Sequence, residues 1–198
     1  MKASGNSPAQ TWPGKVDALL DPRNVVIVGA SGVGKTTLAQ ALSKKQNFAM
    51  ALEQHSERPF QALFKQDARY ALANQMDYLL YRAEQERELR KGDSPALMDG
   101  GLDLDFYGFT RLFHTRGFLN DAEFDLCYRF YSYTRSLLPP PDLVIALTAD
   151  AHIISQRLAA RNRINIASSD DAELLGEYVN KWLESIPEAK IIKLNVSQ

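Results

Sequence analysis

The chain has 198 residues, 45% of them hydrophobic and 24% charged, the make-up of one globular domain large enough to bury its own core. A net charge of -1 and a pI of about 6.3 exclude a global field that would draw it to nucleic acid or a membrane surface. A single cysteine, Cys127, excludes an internal disulfide and fits a reducing compartment, so the chain reads as cytoplasmic.

In chain order, residues 1–23 read as a polar, partly flexible N-terminal extension without the apolar core of a signal peptide. Residues 24–198 read as a single domain. Residues 24–28 form a short buried strand running into a glycine-rich loop, and 35–45 open a helix with Leu38, Ala41 and Leu42 at helical spacing. Residues 48–53 predict a second strand. A long helix is expected over 59–91, broken by Gly92-Asp93-Ser94-Pro95, and a third short strand ends at Asp99. Residues 106–116 look helical and stop at Gly117, and Asn120 with Glu123 resembles a capping box opening a helix to Leu138. Residues 142–147 give the cleanest buried strand. A helix to Ala160, another over 170–186 and a last strand over 189–194 complete the order. Strands alternating with helices predict a doubly wound α/β domain with a five-stranded parallel sheet. Cys127 lies in an aromatic-rich helical segment and reads as a buried structural thiol.

The sharpest motif is Gly29-Ala30-Ser31-Gly32-Val33-Gly34-Lys35-Thr36, a P-loop between a strand and a helix. Its glycines let successive backbone N–H groups turn toward phosphate oxygens, and the helix that follows adds its positive end. Lys35 can reach the β- and γ-phosphates, and the Thr36 hydroxyl can coordinate Mg²⁺, with Thr37 completing the phosphate-binding set. Random composition yields the four fixed positions in roughly 1% of chains this long, before their placement is considered. The loop implies ATP or another nucleoside triphosphate and leaves the acceptor open. His55, His114 and His152 have no metal-site spacing.

From Asn24 onward the chain resembles the deoxynucleoside kinase family, particularly its bacterial deoxyadenosine/deoxyguanosine type. Glu53 matches the family glutamate at the end of the second strand, the group that would take the proton of a 5′-hydroxyl. Pro59-Phe60, Gln75 and Arg82 match its Pro-aromatic segment and long helix, and Asp105 falls at the base-binding aspartate. Pro141-Asp142 precedes the fourth strand, and Arg157, Arg161 and Arg163 match an arginine-rich lid around 157–170. Gln75 and Arg82 are seven residues apart, two helical turns, so both can face one pocket. Asp99 is expected to orient Mg²⁺. The resemblance also implies a homodimer through helices around 106–138, where the aromatic series is dense.

Three positions depart from the family. Gly100 replaces the arginine after the strand-end acid. Phe64 replaces the tyrosine that helps bind the sugar 3′-hydroxyl, and the lid glutamate that shares this role falls near Asn165 or Ile166. A site that does not pair with a hydroxyl gives up discrimination for it. The expected function is therefore ATP- and Mg²⁺-dependent phosphoryl transfer to the 5′-hydroxyl of a deoxynucleoside or related acceptor. Two alternatives stand beside it: a catalytically weakened nucleotide-binding partner subunit, favoured by Gly100, and a P-loop kinase for a non-nucleoside acceptor.

Overall fold

The computed structural model describes residues 23–52, 57–159 and 169–197. Five strands, β1 (Asn24–Val28), β2 (Ala49–Ala51), β3 (Ala96–Asp99), β4 (Leu143–Thr148) and β5 (Ile191–Asn195), pair in the order β2-β3-β1-β4-β5 with every contact parallel. The helices are α1 (Lys35–Ser43), α2 (Pro59–Gln66), α3 (Ala71–Leu89), α4 (Leu102–Leu104), α5 (Arg111–Thr115), α6 (Asp121–Leu137), α7 (Ala151–Ala159) and α8 (Ser169–Glu184).

The central strands β1, β3 and β4 are buried on both faces, which is why they read as unbroken apolar runs rather than alternating ones. Val25, Ile27, Leu97, Ile145 and Leu147 pack with Leu38, Ala39 and Leu42 of α1. Their neighbours Val26, Val28, Met98, Val144 and Ala146 pack on the other face with Leu104 and with Val179, Trp182 and Leu183 of α8. Each buried Val, Leu, Ile or Met among them contributes about 1.5–3 kcal/mol by leaving water. A third cluster joins Phe64, Leu79, Phe106, Phe113, Cys127 and Tyr131, with the Phe106 and Tyr131 rings stacked at 4.4 Å. Cys127 is buried there, and desolvation, helped by Glu123, pushes its thiol up to about 11. It is a packing group.

Two expected helices differ from the fold. The helix expected over 59–91 is interrupted at Asp67, whose backbone is extended (φ -153°, ψ 122°) and whose carboxylate accepts from the Arg69 N–H. That side chain offers the backbone an alternative to the helical bond, and a 3₁₀ turn at Ala68–Tyr70 leads into α3. The helix expected from Phe106 starts at Leu102 and includes a π-helical stretch, Asp105–Thr110. The second strand is also shorter than expected, ending at Ala51. The predicted cap at Asn120 is present in both directions: Asn120 accepts from the Glu123 N–H at 3.0 Å, and Glu123 accepts from the Asn120 N–H at 2.8 Å. α6 ends at Leu137, because Leu138 turns extended ahead of Pro139.

Candidate active site

The phosphate loop hangs from the carboxyl end of β1, between β3 and β4, the position where doubly wound sheets bind ligands. Gly29 has φ +145°, and a Cβ there would stand 2.5 Å from the Leu147 carbonyl oxygen, so glycine alone lets the loop pass β4. Gly34, at φ +110°, turns the chain into α1 without a side-chain cap, leaving the first N–H groups of that helix for a ligand. The Lys35 ammonium folds back over the loop, donating to the carbonyls of Gly29 and Ala30 at 3.1 Å each.

Asp99, 1% exposed at the end of β3, reaches the loop directly. Its Oδ2 accepts from the Thr36 hydroxyl, while its buried Oδ1 has no hydrogen-bond partner. An orphaned carboxylate oxygen beside a hydroxyl is a donor set that fits Mg²⁺, which takes one or two protein oxygens and completes its shell with water and phosphate. Among the described residues no cluster of three or more His, Cys, Asp or Glu side chains could hold a metal by itself.

On the far side of β3 lies a buried polar constellation. Arg82 of α3 donates from Nε to Asp105 Oδ2 at 2.9 Å, with side-chain exposures of 5% and 7%. Gln75, two turns earlier, donates from Nε2 to the Thr110 hydroxyl at 2.8 Å and to the Asp105 carbonyl at 3.3 Å. The Thr110 hydroxyl in turn donates to that carbonyl at 3.0 Å. Thr110 thus spans the π-helical stretch, and the wider turn presents Asp105 to Arg82. Gly100, directly after Asp99, has φ +77°, and a Cβ added there would lie 3.2 Å from Arg82 Nη2. The structure therefore brings Gln75, Arg82, Asp105, Gly100 and Asp99 to one end of β3.

A second ionic layer lies one turn away, and the sequence did not flag it. Arg135 of α6 donates from Nη1 and Nη2 to Glu86 at 3.0 Å, and from Nε and Nη2 to Asp103 at 3.0 and 2.7 Å. Arg90 and Asn24 also donate to Glu86, and the Tyr131 hydroxyl donates to Asp103 at 2.7 Å. Burial works against the Arg135 charge, but Asp103 and Glu86 outweigh it and hold its pKa above the ordinary arginine value. Burial first, then Asp103, pushes the Tyr131 phenol well above its usual value, so it stays a donor. Glu86 follows Arg82 by one turn and Asp103 precedes Asp105 by two residues. Arg135 thereby holds α3 and the Asp105 segment in register. The ladder of Arg82, Glu86 and Arg90 at four-residue spacing was the available signal, but the partners come from distant segments.

Of the remaining predicted residues, Glu53, Arg161 and Arg163 lie outside the described residues, as do Asn165, Ile166 and most of the expected lid. Arg157 donates from Nη1 to the Val33 carbonyl at 3.0 Å and from Nη2 to the Val196 carbonyl at 3.1 Å. It closes one side of a cavity of about 620 Å³ floored by Gly32, Val33, Gly34, Thr37, Leu38 and Ala41. Phe64 sits in the aromatic cluster against Phe113 and Phe118, with ring centroids 5.1 and 5.4 Å away.

A parallel sheet carrying this loop, with an acid at the neighbouring strand end, defines a P-loop nucleotide-binding domain. A family model described as deoxynucleoside kinase matches residues 25–198. The chain belongs to the deoxynucleoside kinase family. It is 23% identical to a deoxyadenosine/deoxycytidine kinase of Bacillus subtilis, over 88% of this chain and 84% of that one. It is 24% identical to a deoxyadenosine kinase of Dictyostelium discoideum, over 90% and 74%. A solved deoxyadenosine kinase from M. mycoides with bound dCTP shares the fold at a TM-score of 0.73 and 19% identity, covering 87% of this chain and 89% of that one.

Proposed function

We propose that the protein transfers the γ-phosphoryl group of ATP, with Mg²⁺, to the 5′-hydroxyl of a deoxynucleoside. The observation that carries this is the buried Arg82–Asp105 pair, which meets Asp99 and the phosphate loop at the end of one strand. An ion pair taken out of water is costly and repays that cost when its remaining polar edges meet a ligand. Arginine and aspartate together offer donors and acceptors to the edge of a base. Gln75 Nε2 already serves two protein oxygens, so Gln75 Oε1 is the atom for an amino group of that base.

In this reading the nucleoside 5′-oxygen gives its proton to Glu53 as it attacks the γ-phosphorus, and the bond to the β,γ-bridging oxygen breaks. Lys35 and the loop N–H groups meet the charge that spreads over the phosphate oxygens, with Arg161 and Arg163 covering it from the lid. Mg²⁺ held by Thr36 and Asp99 would neutralise the β- and γ-oxygens. Arg157 and the apolar floor of the adjoining cavity suit the donor base rather than the transferred group. Gly100 removes the family arginine, but the presence of Glu53, Gln75, Arg82 and Asp105 favours an active enzyme over a weakened partner subunit.

Exposed Leu126, Tyr133 and Leu137 fall on one stripe of α6, the pattern expected of a homodimer contact. Among the described residues no helix is long and apolar enough to cross a membrane, in keeping with a cytoplasmic enzyme. A panel of deoxynucleosides with ATP and Mg²⁺ tests the proposal. Turnover lost in Glu53→Gln supports it, triphosphate binding without transfer to any acceptor sinks it, and phosphorylation of a non-nucleoside alone removes the base pocket.

A further inference from the structure

Arg58 stands directly before α2, five residues after Glu53 in the sequence, and its side chain reaches across to α3. Nε and Nη2 donate to the two carboxylate oxygens of Asp77 at 2.6 Å each, a bidentate fork. The same guanidinium carbon lies 4.4 Å from the centroid of the Tyr81 ring. The Tyr81 hydroxyl accepts from Gln85 Nε2 at 2.7 Å, and Gln85 Oε1 accepts from Arg82 Nη1 at 3.1 Å. Arg82 then meets Asp105, and its own guanidinium carbon is 5.9 Å from the centroid of the Tyr81 ring.

We infer that Arg58 is a positioning residue for the acceptor pocket, acting through Tyr81 and Gln85 to hold the Arg82 guanidinium against Asp105. This rests on the reading above that Arg82 faces the acceptor. Asp105 holds the Nε edge of Arg82 at 2.9 Å. The Tyr81–Gln85 arm fixes the opposite side, and Arg58 stops the Tyr81 ring from swinging. The Arg58 and Asp77 side chains are 23% and 19% exposed, so solvent screens the pair and its loss strands no deeply buried charge. α2 is held independently by Phe64 in the aromatic cluster. The clamp therefore sets geometry more than stability.

The test compares Arg58→Gln, Asp77→Asn and the double variant in the full chain, with two readouts. The first is steady-state kinetics for the accepted deoxynucleoside and for ATP. The second is the ¹⁵Nε–Hε resonance of Arg82 without substrate, assigned by its loss in Arg82→Lys. Each single variant is expected to raise the nucleoside KM about fivefold and shift or broaden the Arg82 signal, with Tm within about 2 °C and the ATP KM within about twofold. The double variant is expected to be no worse than either single, because both changes open one clamp. An unmoved Arg82 signal overturns the inference, as does a Tm loss with both KM values moving together. If the wild type phosphorylates no deoxynucleoside, the proposed function fails, while the Arg82 signal still decides whether the clamp acts on Arg82.

Discussion

The two halves of the site are built in different ways. The proposed donor half is one contiguous stretch, Gly29 to Thr37, which would hold phosphate mostly through backbone N–H groups and one lysine. The proposed acceptor half draws Gln75 and Arg82 from α3, Asp105 and Thr110 from a π-helical stretch, and Gly100 from a strand end, joined by buried ionic and polar bonds. A backbone cradle needs little support from elsewhere in the molecule. A side-chain constellation needs supporting layers, and here Arg135 and Arg58 supply them. The difference teaches where substitutions will be selective: changes in the loop should abolish turnover for every acceptor, whereas changes across β3 should alter which acceptor is used.

The largest effect is expected from Lys35→Met, which removes the side-chain charge from the proposed donor half. Its kcat/KM should fall about 10³-fold or more for every acceptor, measured by coupled assay, with melting temperature nearly unchanged. Uniform loss across acceptors is the sharp part; selective loss would break the division between halves. Arg82→Leu comes next, leaving Asp105 buried without its partner. A stability loss of about 3–5 kcal/mol in urea melts is expected, together with loss of nucleoside binding while ATP binding by the folded fraction persists.

Gly100→Ala should cost about 1 kcal/mol, because φ +77° disfavours a Cβ and the Arg82 Nη2 is 3.2 Å away. The nucleoside KM should rise and the ATP KM stay constant. Tyr133→Glu, on the exposed stripe of α6, should halve the mass measured by light scattering while leaving both KM values within about twofold. Cys127→Ala should matter least to either half. Its informative readout is pH: the folded thiol pKa is raised from 9.0 to about 11, so its contribution to stability is whole below about pH 9 and is lost as pH rises through 11. Urea melts of wild type and Cys127→Ala at pH 8.5 and 10.5 should show the wild type losing stability relative to the variant at the higher pH, where part of that contribution is gone.

Much of the fold was legible because local rules decide it. β1 was read with its observed ends, since a run buried on both faces is apolar at every position. Asn120 and Glu123 announced α6 by reciprocal capping bonds that involve only neighbours. The break at Asp67 was missed because apolar spacing continues through it while one carboxylate captures the Arg69 N–H. The π-helical stretch was missed because its extra residue per turn depends on Thr110 bonding back to the Asp105 carbonyl and on Gln75 arriving from α3.

By itself the sequence determined the phosphate loop and the strand–helix order, because glycines, a lysine and apolar runs act over a few neighbouring residues. The same composition of Gln75, Arg82, Asp105 and Gly100 had no such local meaning. The pairing of Arg82 with Asp105 was within reach of the sequence through the family resemblance, but only the tertiary structure decided that the pair is buried beside Gly100, that Arg135 locks the layer beneath, and that Arg58 clamps the layer above. The physical reason is range: a carboxylate and a guanidinium interact strongly only when burial removes water from both, and burial is a property of the assembled chain.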